Sequence, residues 1–166
     1  MRRDRDPAGR PKNARPRDAL GRPLGRGTSE AGADQDRIPD DLVISGADAA
    51  TLADQLLREG RPFHAHEVLE AAWKSGPPAE RDLWQGLAQI AVGLTHARRG
   101  NARGAAALLR RGAERVRAGW AHGGSQPYGM DIPAVLAASD DLAARIERHG
   151  LDGIPPADLS PRLLRP

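Results

Sequence analysis

The sequence predicts an all-α protein, and three observations carry that prediction. The 166-residue chain holds 29 Ala beside abundant Leu and Arg, side chains that lose little freedom on a helix. Leu83, Leu87, Ile90, Leu94 and Ala97 recur at spacings of 4, 3, 4 and 3, the stripe of a helix with one buried face. Glycine and proline fall between such stretches, at Gly60, Pro62, Gly76-Pro77-Pro78 and Gly100, where one helix stops and the next begins.

Taken in order, Ser45 or Asp48 can cap a first helix over about residues 49–58, with Leu52, Leu56 and Leu57 inward and Gly60 closing it. Pro62 suits the first turn of a second helix, where its missing N–H costs nothing, and that helix runs to about Lys74. The third spans about residues 79–99. After the Gly100-Asn101 turn a fourth runs over about 102–118, with Leu108, Leu109 and Val116 apolar. The Gly-rich residues 119–129 read as a surface loop with Trp120 and Tyr128 as anchors. A short turn near 133–136 is expected to lead to a last helix, residues 140–148, capped by Ser139. The Pro-rich end, 151–166, is expected to trail over the surface or fray.

Residues 1–40 form a separate region by composition. Residues 1–37 mix Arg, Pro, Gly and Asp with too little apolar surface to offset the cost of ordering them, so they read as a disordered basic tail. The net charge of +3 belongs to this tail. Residues 1–26 alone carry nine basic and three acidic side chains, +6, which leaves −3 on the other 140 residues. The helical domain, 41–150, therefore gives no electrostatic reason to bind nucleic acid; contact by the tail is the weaker reading, since it has no aromatic to stack on a base. The chain has no Cys, which excludes disulfide frameworks, thiolate metal sites and thiol nucleophiles. No apolar run approaches the ~18–20 residues needed to span a bilayer. No apolar stretch follows Arg2-Arg3 either, so a cytoplasmic location and no membrane partner are expected.

An internal repeat lies within the helical region. Gly60, Ala65, Leu69 and Ala72 share the spacing 5, 4, 3 with Gly100, Ala105, Leu109 and Gly112, forty residues later. This resembles the tetratricopeptide-type hairpin, although the repeat exceeds the usual ~34 residues and lacks the large aromatics. It implies two stacked antiparallel helical hairpins plus a C-terminal helix.

Three strings within residues 60–116 stand out. The first is His66-Glu67-Val68-Leu69-Glu70-Ala71-Ala72-Trp73. The second is Gln85-Gly86-Leu87-Ala88-Gln89, on a helix that also carries His96, and the third is Gly100-Asn101-Ala102-Arg103-Gly104-Ala105. In this order they resemble the bacterial and archaeal family known as domain of unknown function 309 (DUF309), whose marks are an H-E-x-L-E-x-x-W helix, a Q-G-L-x-Q helix ending in a His, and a G-N-x-x-G-A turn. The resemblance implies a small all-helical domain and brings no activity with it.

The chemistry open to these residues follows from helix geometry. His66 and Glu70 are four apart on one face with Trp73 beside them; Gln89 and His96 share a strip seven apart. Gly86 and Gly93 thin the third helix where another element could approach. If the two helices pack antiparallel through these faces, His66, Glu70 and His96 could converge on a divalent transition metal, with Glu67 as general base and Gln89 or Glu67 in outer contact. A zinc-protease helix is excluded because Glu70 stands where its second His is required. The alternative to a metal is a polar network pinning helices in register, with Glu70 accepting from Trp84 Nε1, Gln89 or His96. His64 and His149 are expected to be exposed, and Arg98, Arg99, Arg103, Arg110 and Arg111 to form a solvated basic face. Two functions remain. The favoured one is a helical interaction module for a protein or peptide partner, without cofactor. The other is a metal-binding, hydrolase-like enzyme using His66, Glu70 and His96.

Overall fold

A computed structural model describes residues 38–166, so the expectation of a disordered tail over 1–37 falls outside the described residues. Five helices follow in order: α1 (Gly46–Arg58), α2 (Pro62–Ser75), α3 (Arg81–Arg98), α4 (Ala102–Gly119) and α5 (Ile132–His149), with single turns of 3-10 helix between or after them. Among the described residues there is no strand, only one isolated bridge between Met130 and Leu164. The all-α class is therefore correct. Each helix packs on its neighbour in the chain: α1 on α2, α2 on α3, α3 on α4 and α4 on α5.

The helix ends follow from their punctuation. Ser45 Oγ accepts from Asp48 N at 3.1 Å and starts α1. At its other end Arg61 N donates to Leu56 O (2.8 Å) and Gly60 N to Leu57 O (3.1 Å). Asn101 N to His96 O (2.9 Å) and Gly100 N to Ala97 O (3.1 Å) close α3 in the same way. Both glycines sit at positive φ, +73° and +81°, the left-handed cap that a side chain resists. The forty-residue repeat is thus a repeat of helix-closing geometry. Its other positions match as well: Ala65 with Ala105, Leu69 with Leu109 and Ala72 with Gly112 are all buried.

The closest helix pair is α3 on α4. A Cβ built on Gly112 would lie 2.6 Å from Gly86 O and 2.8 Å from Ile90 N, and one on Gly93 would lie 3.0 Å from Leu109 N. No side chain fits between the two backbones at these points. Gly86 and Gly93 do thin α3, and what approaches is the backbone of α4. Around this seam Leu69, Leu83, Leu87, Leu94 and Leu109 form the core with Trp84, each buried Leu contributing on the order of 1.5–3 kcal/mol of transfer free energy.

Three expectations are corrected. The turn at 133–136 and the helix at 140–148 are one helix, α5, capped by Asp131, whose Oδ1 accepts from Ala134 N at 3.1 Å. Ser139 caps nothing: it is buried inside that helix and donates back to Val135 O at 2.8 Å, so its hydroxyl is satisfied without ending the helix. His64 is buried, 6% exposed, because the first turn of α2 turns it inward.

The largest departure is the C-terminal segment, which neither trails nor frays. Leu163 is buried with Met130 in the core, and Asp131 N donates to Leu163 O at 2.8 Å while Arg165 N donates to Gly129 O at 3.0 Å. On the opposite edge the Asp54 carboxylate of α1 receives the Leu163 and Leu164 amides. Arg98 donates to Ser160 Oγ at 2.6 Å. Arg98 and Arg110, which donates to both carboxylate oxygens of Glu147 at 2.7 Å, are therefore engaged within the protein rather than on a free basic face.

Candidate functional site

The motif residues meet along α2 and α3. His66, Glu70 and Trp73 line one side of a groove of about 290 Å³, Gln85, Gln89 and Val92 of α3 line the other, and Leu108 and Arg115 of α4 close it. Trp73 is half-buried on its rim, whereas Trp84 is fully buried, and these two tryptophans divide the roles of groove wall and core.

On the α2 wall, His66 Nε2 lies 3.7 Å from Glu70 Oε2, and Lys74 Nζ lies 3.8 Å from Glu70 Oε1 and 6.0 Å from the centre of the Trp73 ring. Burial pushes the His66 imidazole below its ordinary pKa of 6.5; the Glu70 charge and the Phe63 backbone carbonyl oppose that shift without cancelling it. His66 is thus held toward its neutral form. On the α3 wall, Gln85 Oε1 accepts from Arg115 Nη1 at 2.8 Å, and the same nitrogen lies 3.4 Å from Asp82. Gln89 Oε1 is buried without a hydrogen-bond partner. A buried amide oxygen in that state costs on the order of 1–3 kcal/mol, so an occupant of the groove that donates to it recovers free energy.

His96 is not brought to this group. It sits at the far end of α3, where its Nδ1 lies 3.0 Å from Asn101 Nδ2, the amide donating to a ring nitrogen with no proton. Asn101 Oδ1 in turn accepts from Gly104 N at 3.0 Å and caps α4. A Cβ on Gly104 would lie 2.5 Å from Asn101 Nδ2. The G-N-x-x-G-A turn and the His are therefore one capping device: His96 orients Asn101, Asn101 caps the helix, and Gly104 leaves room for the cap.

The convergence of His66, Glu70 and His96 on a metal is corrected accordingly. Among the described residues no group of three His, Cys, Asp or Glu side chains could hold a metal ion. Glu67 lines a second groove, which adjoins the first and shares His66 and Glu70 with it. Trp84 Nε1 also goes elsewhere than expected, donating to Glu80 Oε2 at 2.9 Å rather than to Glu70.

Sequence reasoning missed Arg115, Glu80 and Asp54. Arg115 stands seven residues after Leu108, on the same strip of α4, and that spacing was the available signal. Glu80 takes both the Trp84 indole and the Tyr128 hydroxyl, the latter at 2.6 Å, while the Tyr128 ring stacks on Trp84 at 5.7 Å. Glu80 and Asp54 each have a local partner four residues on, Trp84 and Arg58, but the contacts that tie them to distant parts of the chain span 48 and 109 residues and leave no local pattern.

Among the described residues no helix is long and apolar enough to cross a membrane. The chain is 35% identical over 86 residues to the uncharacterized protein YpuF of Bacillus subtilis (strain 168), covering 51% of this chain and 48% of that one, so it spans about half the length of this curated relative. No solved structure matches it. Residues 52–108, the stretch from α1 into α4 that builds the groove, match the family model described as "Domain of unknown function (DUF309)", the family that the three motif strings resemble.

Proposed function

We propose that the protein is a small helical interaction module, and that the groove between α2, α3 and α4 receives a segment of a protein partner. The observation that carries this reading is the placement of Trp73. An indole held half-buried on a groove rim, beside a buried amide oxygen with no partner at Gln89, is the kind of anchor that dominates protein interfaces. The polar members of the motif then set direction: Glu70 presents charge, Arg115 presents donors, and neutral His66 takes part in hydrogen bonding without adding charge. Tetratricopeptide-like stacking of the helices belongs to the same reading, with the Gly60 and Gly100 closures as its repeated joints. Among the described residues the metal-dependent alternative has no side-chain cluster to support it.

Lys74 makes the test direct, since it is the one lysine within residues 38–166 and its ammonium lies near two residues of the groove wall, 3.8 Å from Glu70 Oε1 and 6.0 Å from the centre of the Trp73 ring. An amine-reactive crosslinker applied to cells expressing the full chain should join Lys74 to one recurrent partner peptide. Trp73→Ala should abolish that crosslink, and Arg162→Ala, on the exposed C-terminal segment, should leave it. Either no recurrent partner at Lys74, or the same crosslink in Trp73→Ala, overturns the reading.

A further inference from the structure

α2 and α4 both pack on α3, so α3 runs along the middle of the groove, with Glu70 and Trp73 of α2 on one side and Leu108 and Arg115 of α4 on the other. Gln85 and Gln89 stand four apart on that middle helix, and both line the groove. Four residues of helix rise about 6.0 Å. Two residues of extended chain advance about 6.4–6.8 Å, the interval at which a strand repeats its N–H and C=O groups along one edge. The two carboxamides are complementary to such an edge. Gln89 Oε1 is buried without a hydrogen-bond partner, so it calls for a donor. Gln85 Oε1 already accepts from Arg115 Nη1 at 2.8 Å, which fixes that amide and leaves its Nε2 to donate.

We propose that the partner segment lies in this groove as an extended chain, and that Gln85 and Gln89 read its backbone. The inference rests on the partner reading above and adds to it the conformation of the occupant. A helix cannot be read in this way, because its amides beyond the first turn are spent on its own carbonyls. When one edge of a strand faces α3, its successive side chains point to opposite sides, one toward α2 and the next toward α4. The charges on those two sides are opposite, Glu70 on α2 and Arg115 on α4. Both remain within reach, with 40% and 39% of their side chains exposed, although Lys74 and Asp82 already neighbour them. Adjacent positions of the occupant therefore suit a cation and a carboxylate. Trp73 and Leu108 offer an apolar surface on each side in the same way. The last torsion of a glutamine is soft, so the buried Gln89 oxygen swings to a donor without disturbing α3.

The test uses the full chain and a displayed library of random peptides about twelve residues long, about 40 Å when extended. Peptides held by the wild type and released by Trp73→Ala are made synthetically, and each backbone amide is N-methylated in turn. One N-methyl group should weaken binding at least about tenfold, the loss of one well-made hydrogen bond, while those on either side of it cost little. In Gln89→Leu the unmodified peptide should bind about tenfold more weakly, and the same N-methyl group should then cost nothing further. That variant gives up an oxygen that has no partner, so it should melt no lower than the wild type. Replacing a central residue of the peptide by α-aminoisobutyric acid, which favours a helix, should weaken binding as well. N-methylation tolerated at every position, a sensitivity that persists in Gln89→Leu, or tighter binding with α-aminoisobutyric acid overturns the extended occupant and leaves the partner reading in place. A library that yields no Trp73-dependent peptide overturns both.

Discussion

The Asp54 carboxylate on α1 accepts hydrogen bonds from the backbone amides of both Leu163 and Leu164, at 2.7 and 3.0 Å, across 109 and 110 residues of chain. Asp54 is 1% exposed, and its second oxygen lies 3.1 Å from Arg58 Nε. A buried carboxylate is tolerated only where donors surround it, and here the last residues of the chain supply two of them. One acidic side chain thus converts a Pro-rich tail into a fixed part of the fold.

Removing that carboxylate should release the tail while the helices persist. Asp54→Ala leaves two amides without acceptors, nominally ~1–3 kcal/mol each, but the freed segment can turn them to water. The loss is therefore capped by the local stability of residues 160–165. We expect about 2–3 kcal/mol off global stability and a selective rise in hydrogen exchange at Leu163, Leu164 and Arg165. Uniform acceleration throughout α1–α5 would show instead that Asp54 supports the whole core.

The α3–α4 seam gives the sharpest contrast between glycines. Gly112→Ala places a methyl where Gly86 O and Ile90 N already stand, and backbone cannot yield as a side-chain tip can. Overpacking of this kind costs about 1–3 kcal/mol, occasionally more. Gly124→Ala meets nothing within 4 Å and should be nearly neutral. Thermal unfolding of the two variants decides the matter, and equal melting temperatures would contradict the close approach.

How much of this was legible in the sequence depends on the range over which each feature is specified. Helix starts and stops are written locally, so Ser45, Gly60, Pro62 and Gly100 announce themselves within a turn or two. The groove was half legible: the four-residue spacing of His66 and Glu70 placed them on one face, but which α3 residues lie opposite depends on register. That register is fixed by Gly86 and Gly93 docking on Gly112 and Leu109, and it puts Gln85 and Gln89, rather than His96, opposite Glu70. The C-terminal clamp was illegible because a buried Asp on an amphipathic helix looks like any exposed one until its distant partner is known. Ser139 misled for a related reason: serine favours caps, but it is equally satisfied bonding back to its own helix.

His66 should leave a mark on the pH dependence of stability. Its imidazole is held below its ordinary 6.5, chiefly by burial, so the unfolded chain binds the proton more readily than the folded one. The contribution is therefore absent as a penalty above about pH 6.5. It becomes a growing loss of stability as pH falls from there through the lowered folded-state value. Urea unfolding of the wild type between about pH 7.5 and 5 should show falling stability, and His66→Gln should flatten that part of the curve. Identical slopes in the two proteins would remove His66 from the account.

The capping device at the α3–α4 turn predicts non-additive substitutions. Asn101→Ala removes the oxygen that receives Gly104 N and should cost about 0.5–2 kcal/mol. Gly104→Ala pushes a methyl into the Asn101 amide and should lose much of the same cap by displacing it. Because both act on one hydrogen bond, the double variant should be less damaged than the two single losses added together. His96→Ala should cost less than either, since it leaves Asn101 able to cap but no longer held in place. Denaturant unfolding of the four variants supplies the cycle; full additivity of Asn101→Ala and Gly104→Ala would mean that the glycine serves some purpose other than making room for the cap.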